Sequence, residues 1–277
     1  MKQSLAKSLT LVAAAATLSA ASSASALVLH SGDAVASSPV DAVVGRWASN
    51  ASVVAVSSTH IITTRHQGFG LGTIVKINGV DYVAAEITNE PTNADLRVVR
   101  IETLGGDAAG LTDFVSIYAG TDEVSQTHVL GGFGDGRGND IIVGPDLVGY
   151  DWDGTQGTQR WGANVVTGSD DDVAIGSRTN DVLFATFEGP GDGIAGEATI
   201  ADGDSGGGWF INDGGEWKVA ALNQTVENIN DALFDEKIYG VRLSSYKTFI
   251  DGAVPEPSSA ALLMLAMAGL ATRRRRA

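Results

Sequence analysis

From residue 51 onward the apolar residues of this chain fall in short runs broken by turn residues, and they do not recur at helical spacing. A helix that buries one face needs apolar residues every three or four positions, whereas a strand needs only a short β-branched or aromatic run between turns. The runs at 52–56, 61–64, 73–77, 82–87, 96–101 and 113–119 fit the second pattern, as do 129–133, 141–143, 147–150, 160–166, 182–186, 208–211, 217–222 and 237–242. Asn78-Gly79 between two of them is a strong hairpin signal, because both residue types tolerate the positive φ of a type I′ turn. So many short strands at close spacing predict an all-β chain, either a sandwich or a pair of barrels. Only 243–250 reads as a closing helix.

The two ends obey different rules. Residues 1–26 open with Lys2 and Lys7, continue through an apolar stretch at 9–18 and close on Ala24-Ser25-Ala26. A charged start, a short apolar body and an A-x-A exit describe a secretory signal peptide cleaved after Ala26; a buried first helix is the alternative. At the other end, Val254-Pro255-Glu256-Pro257 precedes an uncharged stretch at 258–272 and four arginines, Arg273 to Arg276. About fifteen apolar residues are short for a membrane-spanning helix, which needs about twenty, and the arginines would hold such a segment at the cytoplasmic side. The order and spacing of these parts resemble the PEP-CTERM sorting tail of Gram-negative, polysaccharide-producing bacteria. That resemblance implies export through the inner membrane, transient membrane association through the tail and recognition by an exosortase-type enzyme. The product would reside outside the cell, on its surface or in the biofilm matrix. A plain membrane anchor is the alternative.

Between the two ends, 27–252 has the length and composition of one large domain or two small ones. Six of the 18 basic residues and one of the 33 acidic ones lie in the ends, so the mature part carries a net charge of about −20. Such a surface argues against nucleic acid as a partner, because neutralising phosphates takes clustered Lys and Arg. The chain has no cysteine, which removes disulfides, thiolate metal sites and a cysteine nucleophile.

The chemistry concentrates in Asp202-Gly203-Asp204-Ser205-Gly206-Gly207-Gly208-Trp209-Phe210. A serine hydroxyl becomes a useful nucleophile only when it is exposed, approached by a base and flanked by backbone N–H groups aimed at the developing oxyanion. Glycines on both sides permit the sharp turn and the close substrate approach that this requires. Taken alone, the segment also reads as an ordinary Gly-rich turn.

The Gly-Asp-Ser-Gly-Gly core resembles the signature of trypsin-like serine proteases, and two upstream stretches resemble that family's other landmarks in its order. Ile61-Ile62-Thr63-Thr64-Arg65-His66 is similar to the strand and turn that deliver a catalytic histidine, and Ala94-Asp95-Leu96 to the one that delivers the aspartate. The resemblance implies two six-stranded antiparallel β-barrels with a short C-terminal helix. It implies a peptide or protein substrate and an acyl-enzyme route that needs no cofactor or metal. Ser205 would attack, His66 would carry the proton, and Asp95 would hold the imidazole. The backbone N–H groups of Gly203 and Ser205 would form the oxyanion hole. Thr199, six residues before the serine, would floor a neutral primary pocket suited to small or apolar side chains. Asp204 would pair with an N-terminal amine freed by proteolysis. Val43-Val44-Gly45-Arg46 faintly resembles such a mature start, which would make 27–42 a short propeptide; an ordinary strand start is the alternative.

Competing residues and departures are also legible. His30 and His128 lack a matching context and His60 precedes the apolar pair; Asp81, Asp107 and Asp113 do not head an apolar strand as Asp95 does. Gln67 stands where the family often has cysteine, Gly208 where it has proline, and Leu222-Asn223-Gln224-Thr225 does not match the usual Ser-Trp-Gly beside the substrate. Gly136-Arg137-Gly138-Asn139-Asp140 matches one unit of a calcium-binding repeat, but such sites need stacked copies. The rival to an enzyme is a non-catalytic matrix or adhesion protein that keeps the fold.

Overall fold

The computed structural model describes residues 27–30 and 35–255. The expected signal peptide, and the apolar and arginine parts of the tail, lie outside the described residues.

In chain order the first strands are β1 (Val28–Leu29), β2 (Val44–Trp47), β3 (Ala51–Ala55), β4 (His60–Thr63), β5 (Ile74–Ile77), β6 (Val80–Asn89), β7 (Arg97–Thr103) and β8 (Ser116–Ile117). They continue as β9 (Thr127–Gly132), β10 (Arg137–Val143), β11 (Asp146–Trp152), β12 (Arg160–Ile175), β13 (Arg178–Thr186) and β14 (Ala198–Thr199). The last four are β15 (Gly208–Asp213), β16 (Glu216–Val226), β17 (Asp231–Leu233) and β18 (Lys237–Arg242). A 3₁₀ turn (Leu243–Tyr246) then leads into the short helix α1 (Lys247–Ala253).

Strands β2, β3, β4, β7, β6 and β5 close into a six-stranded antiparallel barrel. Asn78 (φ 47°) and Gly79 (φ 78°) form the turn from β5 to β6, with Ile77 facing Val80, as the Asn-Gly pair requires. Strands β9, β12, β13, β18, β16 and β15 form a second closed ring, because β15 pairs with both β9 and β16. Closure removes the unpaired edges that an open sheet would expose.

Three of the four apolar clusters among the described residues hold the barrels together without disulfides. Trp47, Val53, Ile61, Val75 and Ile101 fill the first barrel, and Leu130, Leu183, Trp209 and Ile238 the second. Between them lies a shared cluster that includes Val54, Ile62, Leu96, Phe210, Leu222 and Ile250 of α1. Adjacent residues Val53 and Val54, like Ile61 and Ile62, therefore serve different cores on opposite faces of one strand. A strand buried on both faces reads as a continuous apolar run, as 52–56 and 61–64 do.

Three features differ from the sequence expectation. The run at 113–119 yields only β8, a two-residue parallel contact with β16. β12 extends nine residues beyond the expected 160–166, continuing as a long exposed ribbon with β13. The expected helix at 243–250 is a 3₁₀ turn followed by α1. Among the described residues no helix is long and apolar enough to cross a membrane. The stretch at 258–272, where a spanning segment was expected, lies outside them.

Candidate active site

Each of the three candidate residues is delivered by a strand end at the seam of the barrels. β4 ends at Thr63, and the chain turns through Arg65 and His66, with Gly68 N–H closing on Arg65 C=O. The turn wraps around Asp95: the backbone N–H groups of Arg65 and His66 donate to Asp95 Oδ1 at 2.7 and 2.8 Å, and His66 Nδ1 meets Oδ2 at 2.5 Å. Asp95 heads β7, is 1% exposed, and its own N–H donates to Asn180 Oδ1 from the second barrel at 2.6 Å. Arg65 pins the same loop by donating to the carbonyls of Glu90 and Ala94.

Burial alone would raise the Asp95 carboxyl. The hydrogen bonds and charge of His66, with the N–H of Arg65, more than offset this and hold it below the ordinary carboxylate value. An ionised Asp95 accepting from Nδ1–H leaves the lone pair of His66 on Nε2, the atom that a general base uses. In this conformation Nε2 is 2.8 Å from the Gln67 amide nitrogen. Ser205 makes no hydrogen bond to His66 here, although both line the same cleft.

Ser205 sits on a turn welded to the first barrel. Its carbonyl accepts from Ser52 N–H at 2.8 Å, and Ser52 Oγ donates to Gly203 C=O at 3.1 Å. Gly206 N–H closes on Asn223 C=O, and Asn223 N–H on Gly207 C=O. A Cβ on Gly206 would collide with Ser52 and Thr63, and one on Gly207 with Gly131 C=O, so the glycines there are demanded by backbone contact. Among the described residues the N–H groups of Gly203 (φ 88°) and Ser205 make no hydrogen bond, which leaves both free for an incoming oxygen.

Asp204 points away from the cleft. It is fully buried and accepts N–H groups from Gly134 (2.8 Å), Ala201 (3.0 Å) and Leu27 (3.3 Å); burial pushes its carboxyl up to about 7. Val43 lies elsewhere, in a 3₁₀ turn with its N–H on Val40 C=O. Thr199 is 3% exposed in β14, opposite Val28, and does not line the cleft. The cleft, about 570 Å³, is walled instead by Ile200, Ala201 and Asp202 on one side, Gln224 and Val226 on the other, and Trp152.

The other histidines lie apart from it: His60 is held by Ser57 and Thr59, His30 faces Phe234, and His128 is stacked on Trp209. The calcium-like segment is part of the β10–β11 hairpin, where Asn139 N–H donates to Asp151. Among the described residues no group of three or more acidic or histidine side chains is placed to hold a metal ion.

Three residues that support the site had no sequence signal. Gln224, a mismatch to the expected pattern, donates through Nε2 to Asp95 Oδ2 at 3.3 Å. Asn180 and Ser52 tie the site across the barrels through partners 85 and 81 positions away along the chain.

The sequence matches the PEP-CTERM protein-sorting motif over residues 253–276. No curated protein matches it. Among solved structures, one titled "Crystal structure of Rv3671c protease, inactive form" is similar at 13% identity and TM-score 0.49, covering 75% of this chain and 87% of that one. With both six-stranded rings closed and the candidate residues at their seam, the chain is an all-β fold of two six-stranded antiparallel barrels, and it carries a PEP-CTERM protein-sorting motif at 253–276.

Proposed function

We propose that this chain is an exported serine endopeptidase that hydrolyses peptide bonds through an acyl-enzyme. The observation that carries the reading is the Asp95–His66 pair at 2.5 Å, opening on the same cleft as Ser205. Substrate binding would move the Gln67 amide off His66 Nε2, and Ser205 Oγ would take its place. His66 accepts the hydroxyl proton as Oγ attacks the carbonyl, and Asp95 stabilises the imidazolium. The N–H groups of Gly203 and Ser205 receive the oxyanion. His66 then protonates the leaving amine, and a water activated by the same imidazole releases the acyl group. Ile200, Ala201 and Val226 favour an apolar side chain beside the scissile bond.

The sorting motif indicates export, to the cell surface or beyond. We assign removal of the tail to an exosortase-type enzyme, with the tail holding the chain at the inner membrane until then. The rival reading, a matrix or adhesion protein of the same fold, draws on the missing hydrogen bond between His66 and Ser205. Digestion of a peptide library by the mature protein separates them. The enzyme reading requires cleavage that Ser205→Ala abolishes; a folded mature protein that cleaves nothing would favour the rival.

A further inference from the structure

The cleft beside Ser205 is rich in acceptors and poor in donors. Asp135 and Asp202 line it, and no lysine or arginine does. Two buried acceptors on its walls have no partner among the described residues: Oδ1 of Asp135, a residue 7% exposed, and Oε1 of Gln224, 5% exposed. A buried acceptor without a donor is costly, and a charged one more so. Burial and the neighbouring charges of Asp202 and Asp153 raise the Asp135 carboxyl, and a hydrogen bond from Gln156 offsets only part of this.

The two carboxylates flank the oxyanion glycine. Asp202 precedes Gly203 in the chain, and Asp135 N–H donates to Asp202 C=O at 2.8 Å. Gln156 Nε2 donates to Asp202 Oδ2 at 3.1 Å, and a Cβ on Gly203 would lie 2.9 Å from both Gln156 Cδ and Gly134 Cα. Ile200 and Ala201 lie on the other side of Asp202 along the chain, facing Val226. A substrate whose carbonyl oxygen reaches Gly203 and Ser205 therefore meets an apolar slot on one side and two carboxylates on the other. Among the described residues no three acidic or histidine side chains are placed to hold a metal ion, so the cation that fits is one that brings its own N–H donors. Trp152 on the same cleft offers a ring on which a planar guanidinium stacks, which favours arginine over lysine.

We propose that Asp135 and Asp202 form a cation subsite that selects an arginine on the leaving-group side of the scissile bond, while Ile200, Ala201 and Val226 take an apolar residue on the acyl side. The arginine supplies the donors that Asp135 lacks. Thr199, the neutral residue expected to floor the primary pocket, has no part in this, and the strongly acidic surface of the chain attracts the same basic substrates from a distance. The inference rests on the endopeptidase reading for the scissile bond, but not for the cation subsite.

The test pairs digestion with binding. The mature protein receives peptides with leucine before and arginine after the susceptible bond, the reversed order, and versions with citrulline or glutamate in place of the arginine. The same peptides are titrated calorimetrically into Ser205→Ala, which cannot cut them. Citrulline keeps the shape of arginine and removes its charge. The Leu-Arg peptide should be cleaved and bound about 10- to 100-fold better than its citrulline counterpart, the range for a hydrogen bond to a charged group. Asp135→Asn and Asp202→Asn should each shrink that ratio through KM. Asp202 is exposed, so Asp202→Lys keeps the proposal testable should Asp135→Asn fail to fold; it should turn the preference after the bond to glutamate. Equal handling of arginine and citrulline, a preference for arginine only before the bond, or a ratio that survives the changes at Asp135 and Asp202 would overturn the proposal. An arginine preference in binding that Asp202→Lys abolishes, in a protein that cleaves nothing, would leave the cation subsite standing and remove the hydrolase; neither cleavage nor binding would remove both.

Discussion

Asp95→Asn should nearly abolish turnover while leaving the fold in place. The side-chain oxygen of the substituted amide can still accept the N–H groups of Arg65 and His66 at the positions now 2.7 and 2.8 Å from Oδ1. Its NH₂ then faces Nδ1, where a carboxylate oxygen now sits at 2.5 Å. Nδ1 must become the acceptor, the ring proton moves to Nε2, and the lone pair that would receive the serine proton is lost. The charge matters as well. An imidazolium and a carboxylate about 4 Å apart between charge centres attract by about 4 kcal/mol at an effective dielectric of about 20. That is about a thousandfold in rate at about 1.36 kcal/mol per decade. Adding the wrong tautomer brings the loss to about 10⁴, the size typical of this substitution in a Ser-His-Asp triad. The assay is the rate of hydrolysis of a peptide identified by library digestion, with circular dichroism confirming the fold. A rate within tenfold of wild type would refute the assignment of Asp95 as the partner that sets the histidine tautomer.

Three further outcomes follow from groups outside the cleft. Glu123→Gln should destabilise by about 3 kcal/mol, because Glu123 is fully buried and takes two hydrogen bonds from Arg242 and one from Ser244, so the change strands a guanidinium that is 14% exposed; an unchanged urea midpoint would contradict this. Asn223→Ala should lower stability by about 3 kcal/mol, since its buried amide donates to the carbonyls of Gly131 and Asp204 and accepts from Trp209 Nε1; chemical denaturation provides the check. Burial pushes the His128 imidazole down to about 3 from its ordinary 6.5. The folded state therefore binds fewer protons than the unfolded one, and wild type should lose up to about 1.4 kcal/mol per pH unit below about 6.5, down to about pH 3, relative to a His128→Phe variant. Parallel stability curves for the two proteins would show that His128 is not buried neutral.

The strands were legible because they leave a local pattern, and the three candidate residues were picked out because their flanking segments resemble those of a known family. β3, β4 and β7 are apolar on both faces, and Asp95 and His66 stand at strand ends, where polarity changes abruptly along the chain. What was not legible depends on distant partners. β1 and β14 are two-residue strands whose pairing joins positions about 170 apart, too short to leave a periodicity. The possible propeptide at 27–42 rested on Val43 to Arg46 alone, and nothing in Leu27-Val28-Leu29 announces the pairing of Val28 and Leu29 with Thr199 and Ala198 or the Leu27 N–H donated to Asp204. Gln224 was a mismatch to the expected motif, yet a longer side chain from the same strand reaches the Asp95 carboxylate. Thr199 was picked by counting back from the serine, and the count cannot foresee that β1 covers it. β12 runs past the apolar run at 160–166 through polar residues Gly168 to Asp172, whose backbone stays paired with β13 through two bulges.

The central claim is that Ser205 is made nucleophilic by His66 and Asp95, and the most direct measurement of it is mass spectrometry of the mature protein after exposure to a fluorophosphonate. The account predicts one adduct per chain, located on the peptide containing Ser205, formed slowly or not at all in His66→Ala and Asp95→Asn. Correctly folded chain beginning at Leu27 that stays unmodified, or that carries the adduct on another residue, would contradict it.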